Sequence, residues 1–503
     1  MQLVNGENDK NYPQNREGSN KPGSSHTWMS LNYLAEASMQ KNLSPMIVNR
    51  SENGPFMKEP DFERALSKRT AELVKQYGLK FNPQTPIPSD DDMADRLYQA
   101  GVDLFVELGV FNQTTERRIL FTREEVEDLM GMVRNKVVLG VGKDAVVMRH
   151  REVEGSTPAV VLSGPTGTPC SEKNHPLILL SCAQEPLVDM LGAGSVSTYM
   201  GNPIIPGSPL EILGARRDAA VARDAVRKAG RPGMHISDVA MPLTCQGKMA
   251  AVDPDFGLRR SDAFLVSQMV ELKTSYDQLS RAAYLQGIGM HIVDLMTPLI
   301  GGLGGGAEGT AVVTIACHIL GVVLYAASYH MMSHTHMRWV NNTDRMGLWM
   351  QSIVGQALSR NTPIPALNDI YCVSGAGAEE LLWEVAAGAV AGTPSGMNMQ
   401  GAGCTGGFKT DHTTGLEARF IAEVSHACLG ITRQEANELV VELLSHYEKT
   451  FNEPNRGMPF PEVYDENTVE PKEIWLEKYN KVRDAVIKMG LDLDGGWRKV
   501  KHG

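Results

Sequence analysis

Closely spaced cysteines, an excess of positive charge, aromatics and hydrophobic runs of clear membrane length are all scarce in this 503-residue sequence. Its seven cysteines, at 170, 182, 245, 317, 372, 404 and 428, are widely spaced and odd in number, and no CxxC pair occurs. That excludes a disulfide framework and a zinc ribbon. The formal net charge of −11 argues against a general phosphate-backbone binder, which neutralises phosphates with clustered Lys and Arg. The first 32 residues lack an apolar stretch flanked by a basic start and a small-residue cleavage site, so a cytoplasmic protein is expected. One uncharged run, Ala311 to Ser328, sits at the bottom of the membrane-spanning range, contains His318 and is alone; it reads as a buried helix. No serine elbow, H-E-x-x-H or EF-hand pattern is present, and the loop Gly164 to Pro169 lacks the Lys-Ser/Thr of a P-loop. Aromatics are only 6% of the chain, which throws weight on the few Trp and Tyr between 329 and 371.

What the sequence has is glycine (49) and methionine (26), together with 42% hydrophobic and 21% charged residues, the composition of an ordinary globular protein. Residues 1–55 are rich in Asn, Ser, Gly, Lys and Pro, with a small apolar island from Trp28 to Ala37, and read as a flexible or partner-docking arm. Residues 56–150 read as a helical layer. Asp61 opens a helix through Lys75, Ser89 with Asp92 opens another through Leu108, and Thr122 with Glu125 forms a capping-box pair for a third. From about 158 short apolar runs alternate with helical stretches. Ala159–Ser163, Leu177–Ala183 and Ile292–Met296 read as strands, Pro209–Ala229 and Ser261–Gln286 as amphipathic helices. This alternation over residues 151–431 implies a parallel sheet, and at this length a TIM (β/α)8 barrel is favoured over an open doubly wound sheet. Residues 432–503 read as C-terminal helices packed on the barrel, centred on Glu435–His446 and Lys472–Met489. No internal repeat or long linker interrupts 56–490, so the chain reads as one decorated domain.

Three patterns invite chemistry. Gly301–Ala307 holds G-x-G-x-x-A before a helix, but no acid lies about twenty residues on to take a ribose, so a wide glycine loop at a strand end is the better reading. His330, His334 and His336 are close enough in sequence to contribute to a metal site, although buried histidines with backbone partners are commoner. Asp411–Arg419 reads as a capped helix start carrying an internal ion pair. Spacing alone gives an α/β barrel with an unassigned reaction.

Several segments together resemble the monomethylamine methyltransferase family, which feeds methyl groups to corrinoid proteins in methylotrophic methanogenesis. They are Ala71–Phe81, Leu139–Val146, Gly164–Glu172, Gly230–Met234 (GRPGM), Pro298–Thr310, His336–Trp339 and Asp411–Arg419, in the family's order. The resemblance covers roughly 70–490 and leaves the first 55 residues outside it. It implies a cytoplasmic TIM-barrel homohexamer, with no tightly bound cofactor or metal of its own. A cognate corrinoid protein would dock over the barrel mouth and carry the cobalamin whose Co(I) takes the methyl.

The family's pyrrolysine follows GRPGM by three positions, where this sequence has Ser237. Local alignment places the family's two active-site acids on Leu265 and Leu295 and its glutamine on Asp369. The implied site therefore has Ser237 and Asp369 as catalytic residues, with Leu265, Leu295, Tyr371, His235, Asp238 and His330 around the substrate. Two acids replaced by leucines and one new carboxylate suit a bulky cation that leaves as a neutral molecule: a quaternary or tertiary methylated amine. Tyr371, Tyr329 or Trp339 would add cation–π attraction. Two alternatives stay open. One is demethylation of an ether, thioether or sulfonium compound, in which the histidine cluster would matter. The other is a non-catalytic member with a binding role.

Overall fold

A computed structural model describes residues 44–194, 196–238 and 243–495. The island at Trp28–Ala37 and most of the expected arm lie outside these residues. The stretch just before Pro55, counted with the arm on sequence, is helix α1 (Pro45–Asn53), capped by the Ser44 hydroxyl. Arg50 ties it to Glu125 at 2.6 Å and Phe56 bridges to Arg117. About ten residues that composition assigns to the arm thus belong to the packed helical layer.

The N-terminal layer continues with α2 (Glu59–Gln76), α3 (Asp91–Leu108) and α4 (Arg123–Gly131). Of the three expected caps only the Thr122–Glu125 pair is present: α2 begins after Lys58 without a side-chain cap, and Asp90, not Ser89, caps α3. Gly109 ends α3 at a positive φ of 67°, and Thr122 and Glu125 close a reciprocal capping box on α4.

Eight strands then close a parallel barrel in sequential order. They are β1 (Val161–Ser163), β2 (Met190–Gly192), β3 (His235–Ser237), β4 (Ala263–Ser267), β5 (His291–Met296), β6 (Tyr329–Met332), β7 (Ala366–Tyr371) and β8 (Asn398–Gly403). Each is followed by a helix: α5 (His175–Ala183), α6 (Pro209–Lys228), α7 (Cys245–Ala251), α8 (Tyr276–Ile288), α9 (Ala307–Val323), α10 (Arg345–Asn361), α11 (Glu379–Gly392) and α12 (Gly415–Ala427). Two further helices, α13 (Arg433–Ser445) and α14 (Glu473–Lys488), pack on α11.

The uncharged run is helix α9. It is apolar on all sides because the barrel covers one face and α2, α3 and α4 cover the other. No helix among the described residues is long and apolar enough to cross a membrane. Two expectations fail. Leu177–Ala183 is helix α5, since a short apolar run buried all round reads alike as strand or helix. Ser261–Gln286 is the strand β4 followed, after a turn, by α8; the alternation of buried and half-buried residues in Ala263–Ser267 was masked by apolar residues at helical spacing further on.

Period-2 alternation sorts each barrel strand into a lumen face and a helix face. Ala263, Leu265, Val293, Leu295, Tyr329, Met331 and Leu367 share one cluster inside the barrel. Phe264, Val266, Ile292 and Met332 belong to the outer core beneath the helices. An antiparallel hairpin, Lys136–Leu139 with Val146–Arg149, closes the N-terminal end of the barrel. Its Leu139 and Met148 join the lumen cluster, and Gly140 and Val141 donate to the Ser261 and Gly233 carbonyls at the starts of β4 and β3. Gly233 of the GRPGM segment must be glycine here, because a Cβ would lie 2.1 Å from the Val141 carbonyl oxygen. With that end sealed, ligands have access only from the C-terminal mouth, the usual site of TIM-barrel chemistry.

Candidate active site

The floor of the lumen is polar. Alternation on β3 points His235 and Ser237 inward, and Tyr329 reaches across from β6 to both. The Ser237 and Tyr329 hydroxyl oxygens are 2.7 Å apart, and His235 Nε2 lies 3.2 Å from the tyrosine oxygen. On its far side His235 Nδ1 sits 2.9 Å from the Ser261 carbonyl. All three side chains are buried. Burial away from water pushes the imidazole down to about 3, so His235 is neutral, and it pushes the Tyr329 phenol up.

Above this floor the wall changes character. Leu265 and Leu295 face the lumen and are only partly buried, as are Ser267 and Thr297 at the ends and just beyond β4 and β5. Across the barrel stands Asp369 on β7, 2% exposed. Its Oδ2 accepts one hydrogen bond, from the Ser333 hydroxyl at 3.0 Å, and its Oδ1 has no partner. Burial without a cation raises its carboxyl to about 7. Tyr371, two residues on, is half-buried. Its ring lies over Gly403, where a Cβ would stand 2.6 Å from the ring and 3.1 Å from Asp369 Oδ1. Glycine at 403 lets the aromatic edge and the free carboxylate oxygen meet at one point of the mouth. Gln400, opposite Asp369 in the β7–β8 register, is buried with an unpartnered Oε1.

The structure therefore gathers Ser237, His235, Leu265, Leu295, Asp369 and Tyr371 on the lumen side, and adds Tyr329, Ser333 and Gln400. Two expected site residues point elsewhere. Asp238 follows Ser237, so alternation turns it toward the helices, where it accepts from Lys248 Nζ of α7 at 3.0 Å. That ammonium sits 4.5 Å over the Phe264 ring. His330 follows Tyr329 and faces outward for the same reason. Its Nδ1 lies 3.4 Å from Asp294 and 3.3 Å from His318 of α9, under the helices and away from any substrate.

The three clustered histidines diverge. His334 Nε2 meets the Gly347 carbonyl at 2.8 Å, and His336 stacks on Trp339 at 4.6 Å. Among the described residues no group of three or more His, Cys, Asp or Glu is placed to hold a metal. Trp339 in turn stacks on Phe451 at 5.4 Å, beside the mouth and not in it.

The remaining motifs are scaffolding. Glu271 accepts from the Leu299 and Gly304 amides and pins the glycine loop, and Glu308 at the start of α9 accepts from Phe81. The loop borders an open cleft of about 520 Å³ shared with His336, Met337 and Arg338. In the Asp411–Arg419 segment, Thr414 and Glu417 form a buried capping box. Arg419 pairs with Glu185 at 2.7 Å, so the expected internal ion pair is instead a tie to the loop after α5.

Comparison with known proteins places the chain in a family and agrees with its fold. The family model described as monomethylamine methyltransferase MtmB matches residues 46–491. Monomethylamine methyltransferase MtmB1 of Methanosarcina barkeri is 35% identical over 424 residues, 84% of this chain and 92% of its own length. MtmB of Methanosarcina mazei is 34% identical over the same span. The crystal structure of the Methanosarcina barkeri enzyme superposes with a TM-score of 0.86 at 33% identity, covering 88% of this chain and 97% of that one. A second match of equal quality is the hydroxylamine complex of MtmB.

Proposed function

The chain belongs to the monomethylamine methyltransferase family and is a methyltransferase; from that premise we propose that it moves a methyl group from a quaternary or tertiary methylated amine to the Co(I) of a cognate corrinoid protein, without pyrrolysine. The observation that carries this reading is Asp369. A carboxyl that is 2% exposed, holds a single serine hydroxyl and has no cation is costly to ionise. A bound cation would remove that cost by supplying the missing partner.

Ser237 stands where the GRPGM spacing puts the family's pyrrolysine, and a hydroxyl forms no imine adduct with an amine. The substrate must therefore carry its own activation. A quaternary ammonium does so, because its nitrogen takes the bonding electron pair and departs as a neutral amine. Leu265 and Leu295 would pack the methyl groups, Asp369 would face the charge, and the Tyr371 ring would add cation–π attraction. The corrinoid, held by the partner protein, supplies the nucleophile; this chain supplies orientation and electrostatics.

The mouth suits such a partner. Met200, Ile205, Leu243, Val270, Met337 and Phe408 are all exposed, and all lie on loops that follow barrel strands. An apolar fringe of this kind marks an interaction surface. In keeping with the family resemblance, the working unit is a cytoplasmic homo-oligomer, a hexamer.

One second reading has an observation behind it. A carboxyl near 7 is also the right acid to protonate an ether oxygen as its methyl leaves. The two readings give opposite pH dependence: the rate rises through about pH 7 if Asp369 must be ionised to hold a cation, and falls if it must be protonated. The test is a panel of methylated amines, betaines, sulfonium compounds and ethers, each followed by loss of the Co(I) absorbance of the corrinoid protein. Reaction with quaternary or tertiary amines supports the proposal. Reaction of monomethylamine alone, or of ethers alone, overturns it, and no reaction with any donor favours a binding role.

A further inference from the structure

The hydrogen bonds in the lumen floor have a fixed direction, and it follows from one carbonyl. The Ser261 carbonyl oxygen can only accept, so His235 Nδ1, 2.9 Å away, carries the imidazole proton. His235 is neutral, with its proton affinity lowered by burial, so its Nε2 is a bare lone pair. The Tyr329 hydroxyl, 3.2 Å from it, must be its donor. With its own proton spent there, the Tyr329 oxygen can only accept from Ser237 at 2.7 Å. The reverse direction would leave a buried imidazole lone pair without a donor, a penalty the observed geometry avoids.

We propose that this one-way chain, Ser237 to Tyr329 to His235 to the Ser261 carbonyl, makes Ser237 an obligate acceptor toward the lumen and a specificity-determining residue for positively charged methyl donors. The proposal rests on the cationic-substrate reading above and deepens it. Ser237 Oγ offers only lone pairs to a ligand, as does an ionised Asp369. Two acceptors on the lumen wall favour a ligand whose methyl hydrogens or N–H bear positive charge. They give no proton to a departing oxygen from the floor side. In the transfer step the C–N bond breaks with both electrons going to nitrogen, the methyl carbon bonds to the cobalt of the partner, and no proton is needed from Ser237. Tyr329 and His235 are positioning residues: neither needs to touch the substrate, and both act by holding the serine proton away from it.

Two measurements test this. The first is binding of choline and of its uncharged isostere 3,3-dimethylbutan-1-ol to the full-length protein, compared as the dissociation constant of the isostere divided by that of choline. Ser237→Ala should lower that ratio about tenfold. Tyr329→Phe, which returns the serine proton to the lumen, should lower it several-fold, whereas Ser237→Thr should keep it. A merely structural role would weaken both ligands alike and leave the ratio unchanged, and an unchanged ratio in Ser237→Ala overturns the proposal. If the wild-type protein binds neither choline nor any other methylated cation, the cationic-substrate reading fails, and this inference with it. The second measurement needs no ligand. Nitrogen-15 NMR of labelled histidine, assigned with His235→Gln, should find the proton on Nδ1 of His235. A proton on Nε2 would reverse the chain and overturn the proposal even if cations bind.

Discussion

Two buried layers of this barrel treat carboxylates in opposite ways. Four acids beneath the helices are compensated. Asp262 pairs with Arg223, both 1% exposed, Asp238 takes Lys248 and Glu185 takes Arg419. Glu384, which lacks a cation, collects the Thr343 hydroxyl and the Val373 and Ser374 amides. In the lumen Asp369 has one serine hydroxyl and an oxygen with nothing. The difference is the one expected if structure and function divide a buried charge: the fold supplies a partner to an acid it needs, and the proposed cationic ligand would be the partner Asp369 lacks.

The sharpest way to break this comparison is to neutralise one acid from each layer. Asp369→Asn should lower methyl transfer from a cationic donor by about 100-fold, the order expected on losing a desolvated charge partner. The same change should make the free protein more stable at pH 8, by about 4 kcal/mol for a carboxyl raised from 3.8 to about 7. Asp262→Asn should do the reverse, leaving Arg223 buried without its partner at a cost of about 3–5 kcal/mol. Urea unfolding of the two variants beside steady-state rates checks both arms.

Next in size is the pH response. The folded carboxyl of Asp369 holds its proton to about pH 7, whereas in the unfolded chain it ionises near 3.8. The folded state therefore binds more protons between these values, and the Asp369 contribution to stability falls as pH rises from about 4 to 7, then levels. Affinity for a permanent cation runs the other way and should rise through about pH 7. Calorimetric titration across pH 5.5 to 8.5 shows it, and a flat profile would mean that Asp369 does not face the ligand.

A smaller effect is expected at the apolar wall. Leu265→Ala or Leu295→Ala should raise the KM of a quaternary donor by about tenfold, equivalent to about 1.4 kcal/mol of lost packing, with kcat changed less. His336→Ala, stacked on Trp339 beside the mouth, should change the rate less than twofold, as should prior treatment of the enzyme with a chelator. Loss of activity on chelation would revive a metal role.

How far these layers could be read without coordinates depends on the residue. The α9 run was legible because a charge-free stretch of that length has to be covered on every side. Leu177–Ala183 was not, since burial all round erases the period that separates helix from strand. Lumen and helix faces alternate residue by residue, so His330 and Asp238, each adjacent in sequence to a lumen residue, were assigned to the wrong face. Asp369 and Ser237 were found through segment resemblance, not periodicity. The place of Tyr329 in a hydrogen-bond chain was invisible, because the contact joins residues 92 positions apart across the barrel. Ser333 and Gln400 carried no signal at all.

The most direct test of the central claim uses wild-type protein and Asp369→Asn side by side with a quaternary ammonium donor and the Co(I) corrinoid protein. The account predicts conversion of Co(I) to the methylated form by the wild type and about 100-fold slower conversion by the variant. Equal rates in the two proteins would contradict it.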